Sequence, residues 1–187
     1  MSKVKLGDIA DIITGPFGSV LHKSDYVAEG FPLIMPQNIG DRVLYFDDIA
    51  RISDIDADRL KKYEVFENNI VYARRGNVEK HAFIVTSYGR CFCGTGCLRV
   101  RINSEEAIPM YVSFYLSRPE SREWISKQAV GSNMPNINTE ILSNICIELP
   151  TIDEQRKIVH ILKSLEDRIL NNNAINDNLP YQSSMVT

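Results

Sequence analysis

The sequence is short of most of what catalysis, metal binding or membrane insertion requires. Only three histidines, His22, His81 and His160, occur in 187 residues. None of them stands in a His-Glu-x-x-His or Cys-x-x-Cys-His frame. No apolar run approaches the ~20 residues that span a bilayer. The opening segment carries Lys3, Lys5, Asp8 and Asp11 among its apolar residues, which is no signal peptide and leaves the cytoplasm as the expected compartment. Gly94-Thr-Gly96 is followed by no Gly-Lys-Ser/Thr, so it is no phosphate loop, and there is no Gly-x-Ser-x-Gly elbow. No catalytic residue and no cofactor are therefore expected. Internal repetition is absent as well.

Cysteine is also scarce, at four residues, three of them in Cys91-Phe-Cys93-Gly-Thr-Gly-Cys97. A structural zinc takes four thiolate or imidazole ligands, and only Cys146 and distant histidines are left to complete a set. Alternating Cys91 and Cys93 suit a strand in which the thiols act as small buried hydrophobes. That reading is preferred, with no metal and no disulfide framework expected.

What is present is enough to fold. Hydrophobic residues make up 44% and charged residues 24%, a composition that supports a core and is not that of a disordered chain. The formal net charge of −3 argues against a free-standing, charge-driven nucleic-acid binder, because phosphate neutralisation supplies most non-specific affinity. Charge is nevertheless segregated. Between positions 74 and 101 six Lys/Arg stand against one acid, whereas between 41 and 67 eight acids stand against five bases. The basic stretch is a candidate electrostatic footprint, although alternating Arg99 and Arg101 fit the wet face of a strand better.

The first 150 residues alternate short strands and short helices with Gly/Pro/Asn punctuation, an α+β pattern with a mixed sheet. Strands are expected over 3–13, 32–35, 70–73, 82–86, 96–102 and 145–149, and helices over 54–63, from Pro109 to Leu116 and from Pro119 to Gln128. Pro150 ends this domain. Thr151 then stands three residues before Glu154, a capping box that opens a long helix over 151–179. Ile158, Leu165, Asn172 and Leu179 recur every seven residues, Ile161 and Ile175 occupy the complementary row, and Leu162 and Ile169 broaden the stripe. Such a helix overshoots the domain, and its Asn-rich far half has too few apolar groups to stand alone, so a coiled-coil partner is expected. Pro180 should stop it, leaving residues 180–187 as a disordered tail. Asn178-Leu-Pro-Tyr181 looks like a degraded Asn-Pro-Pro-Tyr methyltransferase loop, but no glycine-rich cofactor loop precedes it.

Several stretches, taken in order, resemble the specificity (S) subunits of type I restriction–modification systems. They are Lys5-Leu-Gly-Asp-Ile-Ala-Asp-Ile, Phe31-Pro-Leu-Ile-Met-Pro-Gln-Asn-Ile39, Asn69-Ile-Val-Tyr-Ala-Arg-Arg-Gly76, Gly94-Thr-Gly-Cys-Leu-Arg-Val100, the loop from Gly131 to Ile137, and Leu149-Pro-Thr-Ile-Asp-Glu-Gln-Arg-Lys-Ile158. The resemblance implies a target-recognition domain over 1–150 that reads half of a split double-stranded DNA site, followed by a spacer helix. It also implies partner methyltransferase (M) subunits that methylate adenine and, indirectly, a restriction subunit. A full S subunit holds two such units and this chain holds one, so a half subunit that homodimerises through its terminal helix is expected. A fragment of a fused restriction–methyltransferase is the neighbouring alternative, which the Met1 start disfavours. A silent half subunit that only dimerises or binds M subunits is the alternative of a different class.

Specific reading calls for Arg/Lys on guanine or Asn/Gln on adenine, with phosphate contacts for position. Gln37 and Asn38 follow Pro36 at a strand end and either read bases or cap the turn. Arg74, Arg75, Asn77 and Lys80 lie at a glycine-containing turn and are the preferred DNA contacts over a structural ion pair. Ser19 and Lys23, with His22, are candidate phosphate contacts. Ser132 and Asn133, with Asn136, sit in a loop whose role is equally structural or DNA-facing. The helix-partner interface is expected at Ile158, Ile161, Leu162, Leu165, Ile169, Asn172, Ile175 and Leu179.

Overall fold

The computed structural model describes residues 2–131 and 134–183, with side chains through 176. In chain order the elements are β1 (Ser2–Lys5), α1 (Leu6–Ile9), β2 (Ala10–Thr14), β3 (Tyr26–Val27), β4 (Phe31–Ile34), β5 (Ala50–Ile52), α2 (Asp54–Arg59), β6 (Glu64–Val65), β7 (Ile70–Ala73) and β8 (His81–Phe83). They continue with β9 (Cys91–Cys93), β10 (Cys97–Ile102), α3 (Pro109–Leu116), α4 (Pro119–Gln128), α5 (Thr139–Ser143), β11 (Cys146–Leu149) and α6 (Ile152–Ser183). The strands form a β1-β11 pair, a four-stranded antiparallel sheet β2-β10-β7-β8, and a five-stranded mixed sheet β3-β5-β4-β9-β6 in which β4 and β9 run parallel.

The two larger sheets stack, and strand alternation sorts side chains between the layers. In β7, Ile70 and Tyr72 face the helices with Leu98, Val100, Val112, Leu116 and Ile125, while Val71 and Ala73 face the other sheet with Cys91, Cys93, Cys97 and Ile34. Phe92 points through that second sheet to a smaller core with Leu33, Ile52, Ala57 and Leu60 under α2. A strand covered on both faces reads as an unbroken apolar run, as Ile70–Ala73 does. The three thiols of β9 and β10 are packed here, and burial pushes those of Cys91 and Cys93 up to about 12. They behave as small hydrophobes held protonated.

Three local expectations change. The single strand over 3–13 is two strands divided by α1, because Leu6 and Ile9 are buried on one side of a turn that Asp8 closes by accepting from Lys5 N at 3.1 Å. Arg99 does not line a wet face. The second sheet covers it to 7% exposure, and its guanidinium donates to the carbonyls of Lys62 (2.9 Å) and Glu64 (2.8 Å). Arg101 is half-buried, its guanidinium 5.0 Å from the centre of the Phe66 ring. Finally, α6 does not end at Pro180 but continues to Ser183. A proline forgoes its own helical hydrogen bond and crowds one carbonyl, which can bend a helix without ending it. Residues 180–183 of the expected tail are thus helical, and 184–187 lie outside the described residues.

The start of α6 is fixed as its sequence demands. Glu154 Oε2 accepts from Thr151 N and Oγ1, both at 2.9 Å, and Glu154 N donates back to Thr151 Oγ1 at 3.4 Å. One residue on, the fully buried Gln155 accepts from Ile108 N and donates to the carbonyls of Glu106 and Pro150 (2.8, 2.8 and 2.9 Å). This locks the first turn of α6 to the first turn of α3. Ile158 and Val159 then join the main core.

Candidate nucleic-acid interface

The turn Gly94-Thr95-Gly96 between β9 and β10 is a hub on which four loops meet. Gly94 N donates to Ile34 O at the end of β4 (2.9 Å), Gly96 O accepts from Arg74 N at the end of β7 (2.7 Å), and Thr95 Oγ1 donates to Pro16 O after β2 (2.9 Å). The approach is close enough to require glycine. A Cβ on Gly15 would lie 2.1 Å from Gly94 O, and one on Gly94 would lie 2.6 Å from Ile34 O. The fourth loop joins through Arg74, whose carbonyl accepts from Ile137 N (3.0 Å), and through Gly76 N, which donates to Pro135 O (3.1 Å). Gly76 takes φ +76°, letting the chain reverse there between β7 and β8.

This gathers most of the expected DNA contacts on one rim. Arg75, Asn77 and Gln37 are exposed on it, while Arg74 and Lys80 are half-buried, with Arg74 Nε finding no partner among the described residues. Ser19 is exposed on the turn that follows Pro16 and Phe17. Lys23 belongs to the next turn and is exposed, but that segment is tied elsewhere: Arg59 of α2 donates to Val20 O and pairs with Asp25 at 3.7 Å. Asn38 is 1% exposed and its Oδ1 accepts from Met35 N at 3.0 Å, the bond of a turn cap. Ser132 and Asn133 lie outside the described residues; the flanking Val130 and Asn136 exchange two 3.0 Å backbone bonds.

Sequence reasoning missed a buried cluster that joins this body to α6. Arg42, 7% exposed and at φ +64°, lies over the Phe114 ring at 3.7 Å and reaches Glu166 of α6 with Nε at 2.9 Å and Nη2 at 3.5 Å. Its Nη1 donates to the Ser113 hydroxyl, which lies 2.9 Å from His81 Nε2. An oxygen that accepts from Arg42 is left to donate to a neutral imidazole. No motif announces this cluster, because its hydrogen-bonded partners are 32 to 124 residues apart.

Burial, then the charges of Arg42 and Arg122, bring the His81 pKa down to about 3 from 6.5. Below the unfolded value the unfolded chain takes up a proton that the folded chain refuses. Stability is therefore expected to be full above about pH 6.5 and to fall as the pH drops toward 3, approaching about 1.4 kcal/mol per pH unit. Urea unfolding between about pH 7 and pH 5 reads this slope. His81→Gln should flatten it by one proton's worth, and an unchanged slope would refute the assignment.

The remaining part of α6 presents an apolar stripe outward: Ile161, Leu165, Ile169 and Ile175 are between 48% and 60% exposed. Ile158 and Leu162 are half-buried against the body, Asn172 is exposed, and the side chain of Leu179 lies outside the described residues. No described helix is long and apolar enough to cross a membrane.

A family model described as the type I restriction modification DNA specificity domain matches residues 1–181. A putative type I restriction enzyme MjaX specificity subunit of Methanocaldococcus jannaschii is 26% identical over 172 residues, covering 88% of this chain and 39% of the relative. The type I restriction–modification S subunit structure from M. genitalium aligns with TM-score 0.67 and 20% identity over 91% of this chain and 40% of that one. The HsdS subunit from Thermoanaerobacter tengcongensis aligns with TM-score 0.64 and 21% identity over 91% and 38%. The chain thus spans about two-fifths of the length of these relatives.

Proposed function

The chain belongs to the type I restriction–modification DNA specificity family, and on that premise we propose that it reads one half of a split duplex site and directs adenine methylation by partner M subunits. The observation that carries this reading is the rim around Gly94–Gly96, where Gln37 from the turn after β4 meets Arg74, Arg75, Asn77 and Lys80 from the β7–β8 turn on a rigid scaffold. Adenine- and guanine-reading side chains need such fixed placement. Its work is recognition, and the chemistry and much of the phosphate binding belong to the partners, which fits a net charge of −3. Such a role places it in the cytoplasm with the chromosome. The exposed stripe of α6 supports pairing with a second copy, which would join two readers across a gap and make the bound site palindromic.

Binding to dye-labelled duplex, with and without the M subunits, tests the reading. Specific retention is expected only with M present. Replacing Arg74 and Arg75 together by alanine should weaken it by about tenfold or more, because each lost guanine or phosphate contact costs of order 1 kcal/mol. The salt dependence should become shallower by about one for every phosphate contact removed. An undiminished affinity in the double variant would remove the rim from the interface. Failure of the unmodified chain to bind in any company would leave the silent half subunit as the better account.

A further inference from the structure

We propose that Phe17 is a base-step wedge, an aromatic ring that enters the stack at the border of the half-site; this rests on the DNA-reading function proposed above. Phe17 is 63% exposed, the most exposed aromatic side chain among the described residues. A lone exposed apolar residue is ordinarily no more than surface. What sets this one apart is its backbone. Gly15 N donates to Cys97 O (2.9 Å), Thr95 Oγ1 holds Pro16 O (2.9 Å), and Val20 N closes the turn on Phe17 O (3.3 Å). Gly18, at φ +61°, turns the chain away directly after the ring. The tip is therefore held on both sides while its ring stays in water.

Its position gives the ring a use. The turn that holds Pro16 also holds Arg74, and Pro36, next to Gln37, packs beside Gly96 with its Cγ 3.1 Å from where a Cβ would stand. Cations on this rim draw in phosphates. The apolar surface a duplex then offers is the face of a base pair, opened when a step unstacks. A protein partner would be met more naturally within a broad apolar patch, and this turn adds to Phe17 only Val20, 37% exposed, beside Gly18 and Ser19. A wedge of this kind adds sequence preference without a hydrogen bond, because pyrimidine–purine steps open at less cost than others.

The test puts a single indole at the tip. In the full chain Trp124, the only tryptophan, is replaced by Phe and Phe17 by Trp. The probe is duplex DNA selected from a random pool by the unmodified chain with its M subunits. Binding is followed separately by anisotropy of a dye on the DNA. Indole emission is expected to be quenched in step with binding. Phe17→Ala is expected to bind about tenfold more weakly, with the salt dependence unchanged and the melting temperature of the free chain unmoved. Binding without quenching, or an alanine variant that binds like the unmodified chain, overturns the wedge and leaves the reading function standing. Quenching by the M subunits before DNA is added would reassign Phe17 to a protein contact. If no duplex is retained at all, both readings fail together.

Discussion

Arg42→Ala is expected to destabilise the fold by about 3 kcal/mol, the low end of the cost of removing one partner from a buried ion pair. The low end applies because Glu166 keeps 24% of its side chain exposed and can rehydrate, whereas Arg42 keeps 6%. The loss reaches four groups at once: Glu166, the Ser113 hydroxyl, and the faces of Phe114 and Phe83, which the guanidinium covers at 3.7 and 5.5 Å. At an m-value of about 2 kcal/mol/M, the urea midpoint should fall by about 1.5 M with the slope unchanged. Two companion variants sharpen the assignment. Arg42→Gly should be less damaging than Arg42→Ala by of order 1 kcal/mol, since only glycine relaxes at φ +64°. Arg42→Lys should restore little, because an ammonium neither stacks on Phe114 nor bridges both Glu166 oxygens. A midpoint for Arg42→Ala within the error of the unmodified chain would show that the cluster holds nothing.

The functional side of that result concerns the direction of α6. The first turn is fixed through Gln155 and the fourth by Glu166 on Arg42. On the proposed reading, the angle between helix and rim sets where the second half-site lies. An Arg42 variant studied well below its melting temperature should therefore tolerate a changed gap length that the unmodified chain rejects. Selection from a duplex library of variable spacer length measures this directly.

What could be read from the sequence was what is local. Thr151 with Glu154, Pro109 and Pro119 at first helical positions, and the apolar Ile70–Ala73 each carry their cause within a few residues. Family membership was legible for the same reason, through short motifs kept in order. β3 and β6, at two residues each, were not legible, since they exist only because β5 and β9 offer partners. Arg99 misled because alternation predicts that its side chain shares a face with Cys97, and not that a second sheet covers that face. For Asn38 the residues left a base contact and a turn cap both open, and the bond from Met35 N that makes the cap is visible only in the folded turn. The rim was read as four separate loops. Only the tertiary contacts of Gly94, Thr95 and Gly96 join them, although the glycines themselves mark where backbone must meet backbone.

Leu165→Glu is expected to weaken the proposed self-association by about a hundredfold or more, as loss of a central apolar anchor at a helix pair does. Leu165 is 48% exposed in the single chain and borders a groove of about 570 Å³ between α6 and the body, lined also by Val43, Tyr45, Phe114, Ile169 and Leu170. A second α6 laid along Ile161, Leu165 and Ile169 would cover this surface, and a carboxylate there would have to be desolvated while the cations of the groove, Arg42 and Arg122, are already paired with Glu166 and Asp41. Because Leu165 contributes little to the chain's own core, the melting temperature at concentrations below the dissociation constant should not move. That separates a partner contact from a folding defect. Asn172 supplies the opposite sign. It stands on the same heptad row, where a polar residue fixes register at a cost in stability, so Asn172→Leu should tighten association while broadening the set of spacer lengths accepted. Sedimentation at tens of micromolar reads both outcomes. An unmodified chain that sediments as a monomer there, with and without DNA, would leave the stripe to a different helix, one carried by a separate chain or by a longer relative.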